Sequence, residues 1–209
     1  MLMHTMKNIA GVVLAGGKNS RYNGFDKSFL KKGNSTFIEH TISTFRELFH
    51  EIIIITNQPE TYHFIEAIKS KDLIKDIGPL GGIYTALKVT TQPAIFVVSC
   101  DMPYLDQSMI KQLTKEFDPA TYDILMPFVD GDIEPLHAIY SVNIISAIEK
   151  NIKDEKFAIR DLFPLIRIKY VDLPSTPANK KYFTNVNSPE DFEQLRIDLS
   201  IVNRGYINL

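Results

Sequence analysis

A short, almost wholly apolar run, Ile9 to Ala15, stops at the glycine pair Gly16-Gly17 and gives way to Lys18-Asn19-Ser20. A run of this length with no polar face predicts a strand buried on both sides. Such strands belong to parallel sheets covered by helices. Two more runs of the same kind follow, at Ile52 to Thr56 and Ala94 to Cys100. Between them Ile38, Ile42, Phe45 and Phe49 recur at helical spacing, so Thr36 to Phe49 predicts a helix. Tyr62 to Ser70 predicts another helix, and Leu73 to Ile77 a short strand. The loop Gly78-Pro79-Leu80-Gly81-Gly82 then opens a helix reaching about Lys88. Further on, Asp106 to Phe117 predicts a helix capped by Asp106, and Ile124 to Phe128 and Leu136 to Tyr140 predict strands. Val142 to Asn151 and Ser188 to Leu199 predict helices, the second with a capping serine and Pro189 in its first turn. This alternation predicts one α/β domain over residues 1–209, three-layered and Rossmann-like, with a mostly parallel central sheet.

Composition narrows the function. A formal charge of -2 supplies no basic field to draw the chain to nucleic acid, so any anionic ligand must be gripped locally. The single cysteine, Cys100, rules out an intramolecular disulfide framework and suits a reducing cytosol. No apolar core of a signal peptide follows the charged start, and the longest apolar runs are far too short to span a membrane. A cytoplasmic protein is expected.

Ligands of open α/β sheets lie at the carboxyl ends of the strands. The unusual residues fall there: Gly16-Gly17, Asn57 and Asp101. In the loop after the first strand, glycines let backbone N–H groups approach a phosphate. Arg21 can grip phosphate oxygens in a fork, and Lys27 brings a point charge. The spacing is neither GxxxxGK[ST] nor GxGxxG. The plain alternative is a solvated loop. Asp101, ending a strand beside that loop, is a natural Mg²⁺ ligand, because hard cations take carboxylate and phosphate oxygens together. A turn or capping aspartate is the competing reading. Cys100 reads as a small buried residue rather than a nucleophile. Asp130-Gly131-Asp132 has the D-x-D form of metal-dependent glycosyltransferases, yet Asp-Gly between two strands is more simply a hairpin turn.

The pattern L-A-G-G-x-x-x-R-x-x-G-x-D-K resembles the signature of molybdenum cofactor guanylyltransferases. It is carried by Leu14, Ala15, Gly16, Gly17, Arg21, Gly24, Asp26 and Lys27, with Tyr22-Asn23 where many members have methionine and glycine. Four further segments resemble the family in order: Asp76 with Gly78 to Gly82, Cys100-Asp101-Met102-Pro103, Pro135-Leu136-His137-Ala138, and Asn185 to Asp191. Together they reach from Gly11 to about Phe192.

The resemblance implies a fold of the nucleotide-diphospho-sugar transferase type. It implies transfer of GMP from GTP to the phosphate of molybdopterin, with release of pyrophosphate. Leu14, Ala15, Gly16, Gly17, Lys27, Asn57, Asp76, Gly81 and Asp101 would hold the nucleotide, and Asp101 would carry Mg²⁺. Lys27, Arg21 and Asp101 would be catalytic. Asn187 would approach the active site, where capping a helix is its plain alternative. His137 would face the acceptor, where a core histidine is the competing reading. Transient contacts with cofactor-synthesis and molybdoenzyme-maturation proteins are also implied. The nearest alternative is a cytidylyltransferase acting on molybdopterin or on a sugar or polyol phosphate. Members of the molybdopterin cytidylyl branch tend to have L-A-A-G, so Gly16 favours guanine. A nucleotide-binding protein without chemistry is a rival from another class, disfavoured by Lys27 and Asp101 together.

Overall fold

The computed structural model describes residues 8–16, 21–22, 25–188 and 190–195. The first apolar run forms β1 (Ile9–Leu14). Two small ribbons follow, β2 (Arg21–Tyr22) with β3 (Phe25–Asp26), and β4 (Lys31–Lys32) with β5 (Ser35–Thr36). Then come α1 (Phe37–Arg46), β6 (Ile52–Ile55), β7 (Ile68–Ser70), α2 (Pro79–Val89), β8 (Ala94–Ser99) and α3 (Gln107–Glu116). The remainder comprises β9 (Ile124–Val129), β10 (Asp132–Ile133), β11 (His137–Ser141), α4 (Ile145–Lys153), β12 (Ile168–Leu173) and α5 (Pro177–Tyr182).

Among the described residues the main sheet has eight strands, in the order β10-β9-β11-β8-β1-β6-β7, with β12 on the far side of β9. β1 lies parallel to both β6 and β8, and β7 and β12 are parallel to their neighbours. β11 runs against both β8 and β9, and β10 folds back on β9.

Side chains of β1 alternate between two cores. Ile9 and Val13 pack with Ile42 and Phe45 of α1 and Ile110 of α3. Ala10, Val12 and Leu14 pack with Leu80 and Ile83 of α2 and Ile148 of α4. Helices therefore cover both faces, which gives the three layers expected. Gly11 serves this packing: a Cβ there would lie 2.5 Å from Cδ2 of Phe45 and 2.6 Å from Cδ2 of Phe49. Glycine lets both rings close onto the central strand. Helix starts obey local rules. Thr36 and Glu39 form a capping box on α1, and the Asp106 carboxylate accepts from the N–H groups of Ser108 and Met109 at α3.

Two expectations fail. Tyr62 to Ser70 is not a helix. Pro59–Tyr62 makes a 3-10 turn, and Ile68–Ser70 becomes β7, paired with Ile53, Ile54 and Ile55. The apolar spacing of Tyr62 and Ile65 is real, and both are buried, but the open edge of β6 captures the following backbone. Leu73 to Ile77 is not a strand either. It bends toward α2, with Asp76 at φ 63° and the N–H of Leu73 donating to Oγ1 of Thr85 at 2.9 Å. The helix expected from Val142 begins with a 3-10 turn, Val142–Ile144, before α4. Of the last predicted helix, 190–195 is helical, while Pro189 and 196–199 lie outside the described residues. No helix among the described residues is long and apolar enough to cross a membrane.

Candidate active site

The register of β1 sets Leu14 opposite Ile55 on one side and Ser99 on the other. Three parallel strands thus end side by side, and Gly16, Asn57 and Asp101 emerge together. They open onto a cleft of about 970 Å³. Its walls include Leu14, Ala15, Gly16, Asn57, Asp76, Asp101 and Asn187, all anticipated from the sequence. Gly78 and Pro79 also line it, which turns the positive end of α2 toward the cleft.

Lys27 lies beside Asp101 and Asn187 of the wall, with its side chain only 3% exposed. Its Nζ donates to Oδ1 of Asn187 at 3.2 Å and lies 3.6 Å from Oδ2 of Asp101. A lysine so buried keeps its charge at low cost only beside a carboxylate and hydrogen-bond acceptors. Its backbone is fixed by its neighbours. The Asp26 carboxylate caps the 3-10 turn Lys27–Phe29 by accepting from the Ser28 N–H at 3.0 Å.

Residues 185–187 are threaded back to this point. The Val186 N–H donates to the Asp101 carbonyl at 2.9 Å, which sets Asn187 beside Lys27. Asp191 accepts from the N–H groups of Asn187 and Ser188, both at 2.8 Å, and Ser188 Oγ caps the 190–195 helix. The capping reading and the site reading therefore coexist: the backbone of Asn187 braces the helix while its side chain meets the lysine.

One oxygen of Asp101 remains. Its Oδ1 is buried and makes no hydrogen bond among the described residues. A carboxylate oxygen without a donor is of the type that a hard cation takes as ligand. No cluster of three His, Cys, Asp or Glu occurs among the described residues. A single carboxylate suits Mg²⁺, which characteristically takes its other ligands from phosphates and water.

Several anticipated residues lie elsewhere. Gly81 is a packing residue: a Cβ would come within 2.9 Å of the Ile74 carbonyl. His137 is not on the cleft wall. It is fully buried, edge-on to Phe96 and Phe183 with ring centroids 5.1 and 5.0 Å away, and neither ring nitrogen has a hydrogen-bond partner among the described residues. Gly17 lies outside the described residues, and Arg21 is described only through its backbone in β2. Asp130 and Gly131, at φ 56° and 93°, make the β9–β10 turn, and Asp130 pairs with Lys180. That is the hairpin expected for the D-x-D segment. Cys100 is buried, and burial pushes its thiol above the ordinary range, so it is no nucleophile.

The sequence reading missed Asp72. It lines the cleft and accepts from Nδ2 of Asn57 at 3.0 Å. Burial raises its carboxyl above the usual range, against the pull of the Asn57 hydrogen bond. Its signal was hidden by the wrong helix: once Ile68–Ser70 is a strand, Asp72 is another strand-end residue. Asn185 and Gln58 also line the cleft.

His137 yields a stability prediction. Burial pushes its pKa from 6.5 down to about 3. The unfolded chain binds a proton near pH 6.5 while the folded chain refuses it. The folded state thus keeps its full advantage above pH 6.5 and loses it as pH falls toward 3, by up to about 1.4 kcal/mol per unit. His137→Phe should remove this contribution and relieve two unpaired nitrogens, adding about 1–2 kcal/mol near pH 7. Urea midpoints at pH 5 and 7.5 should lie closer together in the variant than in the native chain.

A mostly parallel sheet with a carboxylate-lined cleft at its strand ends, and a buried lysine beside it, fits a nucleotidyltransferase. The molybdopterin-guanine dinucleotide biosynthesis protein A from Archaeoglobus fulgidus has the same fold, with a TM-score of 0.76 over 91% of this chain and 98% of that one at 24% identity. Residues 11–166 match the family described as the MobA-like NTP transferase domain. A molybdenum cofactor guanylyltransferase from Syntrophotalea carbinolica is 31% identical, over 91% of this chain and 92% of that one. A Carboxydothermus hydrogenoformans protein named for the same activity is 33% identical over 193 residues, covering 91% and 96%. The chain belongs to the MobA-like NTP transferase family.

Proposed function

We propose that the cleft binds GTP and molybdopterin and transfers the guanylyl group to the molybdopterin phosphate, releasing pyrophosphate. The observation carrying this reading is the buried Lys27 ammonium held between Asp101 and Asn187 of the cleft wall, with Oδ1 of Asp101 making no hydrogen bond among the described residues. A cation and an unpaired carboxylate oxygen, with the end of α2 across the cleft, suit a nucleotide's charged phosphates. The names of the relatives supply guanine and molybdopterin as the substrates.

Asn57 and Asp72 form the nucleoside wall. A carboxylate matches adjacent N–H donors, which guanine presents and adenine lacks. The triphosphate lies toward Gly16 and Lys27. Asp101 would hold Mg²⁺, with the Asn187 oxygen nearby. When bound, the ion neutralises phosphate charge at the reacting phosphorus. Leu136 and Asn185, which line the cleft, would face the acceptor. An oxygen of the acceptor phosphate forms a bond to the α-phosphorus in line, and the bond to the β-phosphate oxygen breaks. The acceptor phosphate is already ionised near pH 7, so no general base is needed. Lys27 stabilises the charge that moves onto the departing pyrophosphate. Catalysis is positioning and charge stabilisation.

The test is a panel of GTP, CTP and ATP with Mg²⁺ and purified molybdopterin, read by pyrophosphate release. Turnover with GTP alone is expected. Preference for CTP would replace guanine in the assignment, and no release with any nucleotide would end it.

A further inference from the structure

We infer that Tyr62 is a positioning residue for Lys27, acting through the Asp26 carboxylate, which accepts from the hydroxyls of both Tyr62 and Ser28; this rests on Lys27 being a phosphate ligand, as proposed above. The Tyr62 hydroxyl donates to Oδ2 of Asp26 at 2.6 Å. Ser28 Oγ donates to Oδ1 of the same carboxylate at 2.7 Å and lies 2.7 Å from the Tyr62 oxygen. Tyr62 and Ser28 are both fully buried. The two hydroxyls are therefore shielded from water, while Asp26 reaches the cleft lining.

Its place in the chain gives it a role. Asp26 and Ser28 flank Lys27 directly, and the same Asp26 oxygen that accepts from Ser28 Oγ accepts from the Ser28 N–H that starts the turn. The carboxylate thus fixes the backbone from which the lysine projects. Tyr62 comes from a different wall. It ends the 3-10 turn Pro59–Tyr62, just beyond Asn57 and Gln58 of the cleft. Its hydroxyl ties the nucleoside wall to the phosphate wall across 36 residues of sequence.

The phenol is suited to donate. Burial, then the hydrogen bond to Asp26, hold it above its ordinary value of 10.0, so it keeps its proton throughout the working range. Its ring also packs on Phe29, with centroids 5.3 Å apart. Removing the hydroxyl leaves that packing intact, so the positioning role is separable from the structural one.

The experiment is a double-mutant cycle. Wild type, Y62F, K27A and the double variant are titrated with GTP by calorimetry and assayed for pyrophosphate release, with melting temperatures alongside. Y62F should lower kcat/KM about 10-fold, the loss expected for a hydrogen bond to a charged group. In the K27A background the same change should have little further effect, because the lysine it positions is gone. Ser28→Ala, which removes the other hydroxyl donor to Asp26, should repeat the pattern and serves if Y62F does not fold. Equal losses in both backgrounds, or no loss in either, would overturn the inference. If wild type binds no GTP, the functional reading fails first and this inference with it.

Discussion

Asp101→Asn is expected to lower Mg²⁺-dependent pyrophosphate release by roughly 10³-fold while the protein stays folded. The change is isosteric, so the cleft keeps its shape. It removes the charge on a carboxylate whose buried Oδ1 makes no hydrogen bond among the described residues. It also removes the anion 3.6 Å from the Lys27 ammonium, which lies only 3% exposed. Stability should therefore fall somewhat, because a buried cation loses its counter-charge. Asparagine is chosen over alanine for that reason, since its amide oxygen can still accept from the lysine. The check is a steady-state assay against Mg²⁺ concentration, with a thermal melt of the same preparation. Near-normal turnover in a folded variant would remove Asp101 from the metal site.

Lys27→Ala carries the second large effect, a loss of about 10²–10³-fold in kcat/KM. The side chain is almost wholly enclosed, so its charge acts in a dry setting where little water competes. Lys27→Arg should recover only a small part of that loss. The cavity holds a compact ammonium between two oxygens, and a planar guanidinium needs a wider fork. The alanine variant leaves Asp101 and Asn187 facing each other without a cation, and GTP binding by calorimetry should weaken along with the rate. Unchanged rates in Lys27→Ala would take it out of the mechanism.

Much of this site was legible because backbone physics dictates where it falls. The apolar runs that become β1, β6 and β8 are hard to fold as anything other than buried parallel strands, so Gly16, Asn57 and Asp101 had to emerge at one edge. Residues needing longer-range information were missed or misplaced. Asp72 follows a three-residue edge strand whose residues, taken alone, continue a helical pattern. Only pairing with β6 decides the matter. His137 came with a motif that suggested the acceptor side, but β11 runs antiparallel and aims that ring between Phe96 and Phe183. The partnership of Tyr62 with Asp26 leaves no sequence trace, since nothing local announces a hydroxyl aimed across 36 positions.

The bond from Asn187 to Lys27 spans 160 residues, and Val186 joins the Asp101 carbonyl only when the chain returns from α5. Synthesis from the N-terminus therefore completes every strand of the sheet before the lysine acquires its second oxygen. A chain stopped before residue 183 would lack Phe183 of the core as well as Val186 and Asn187, and would leave Lys27 without its amide partner.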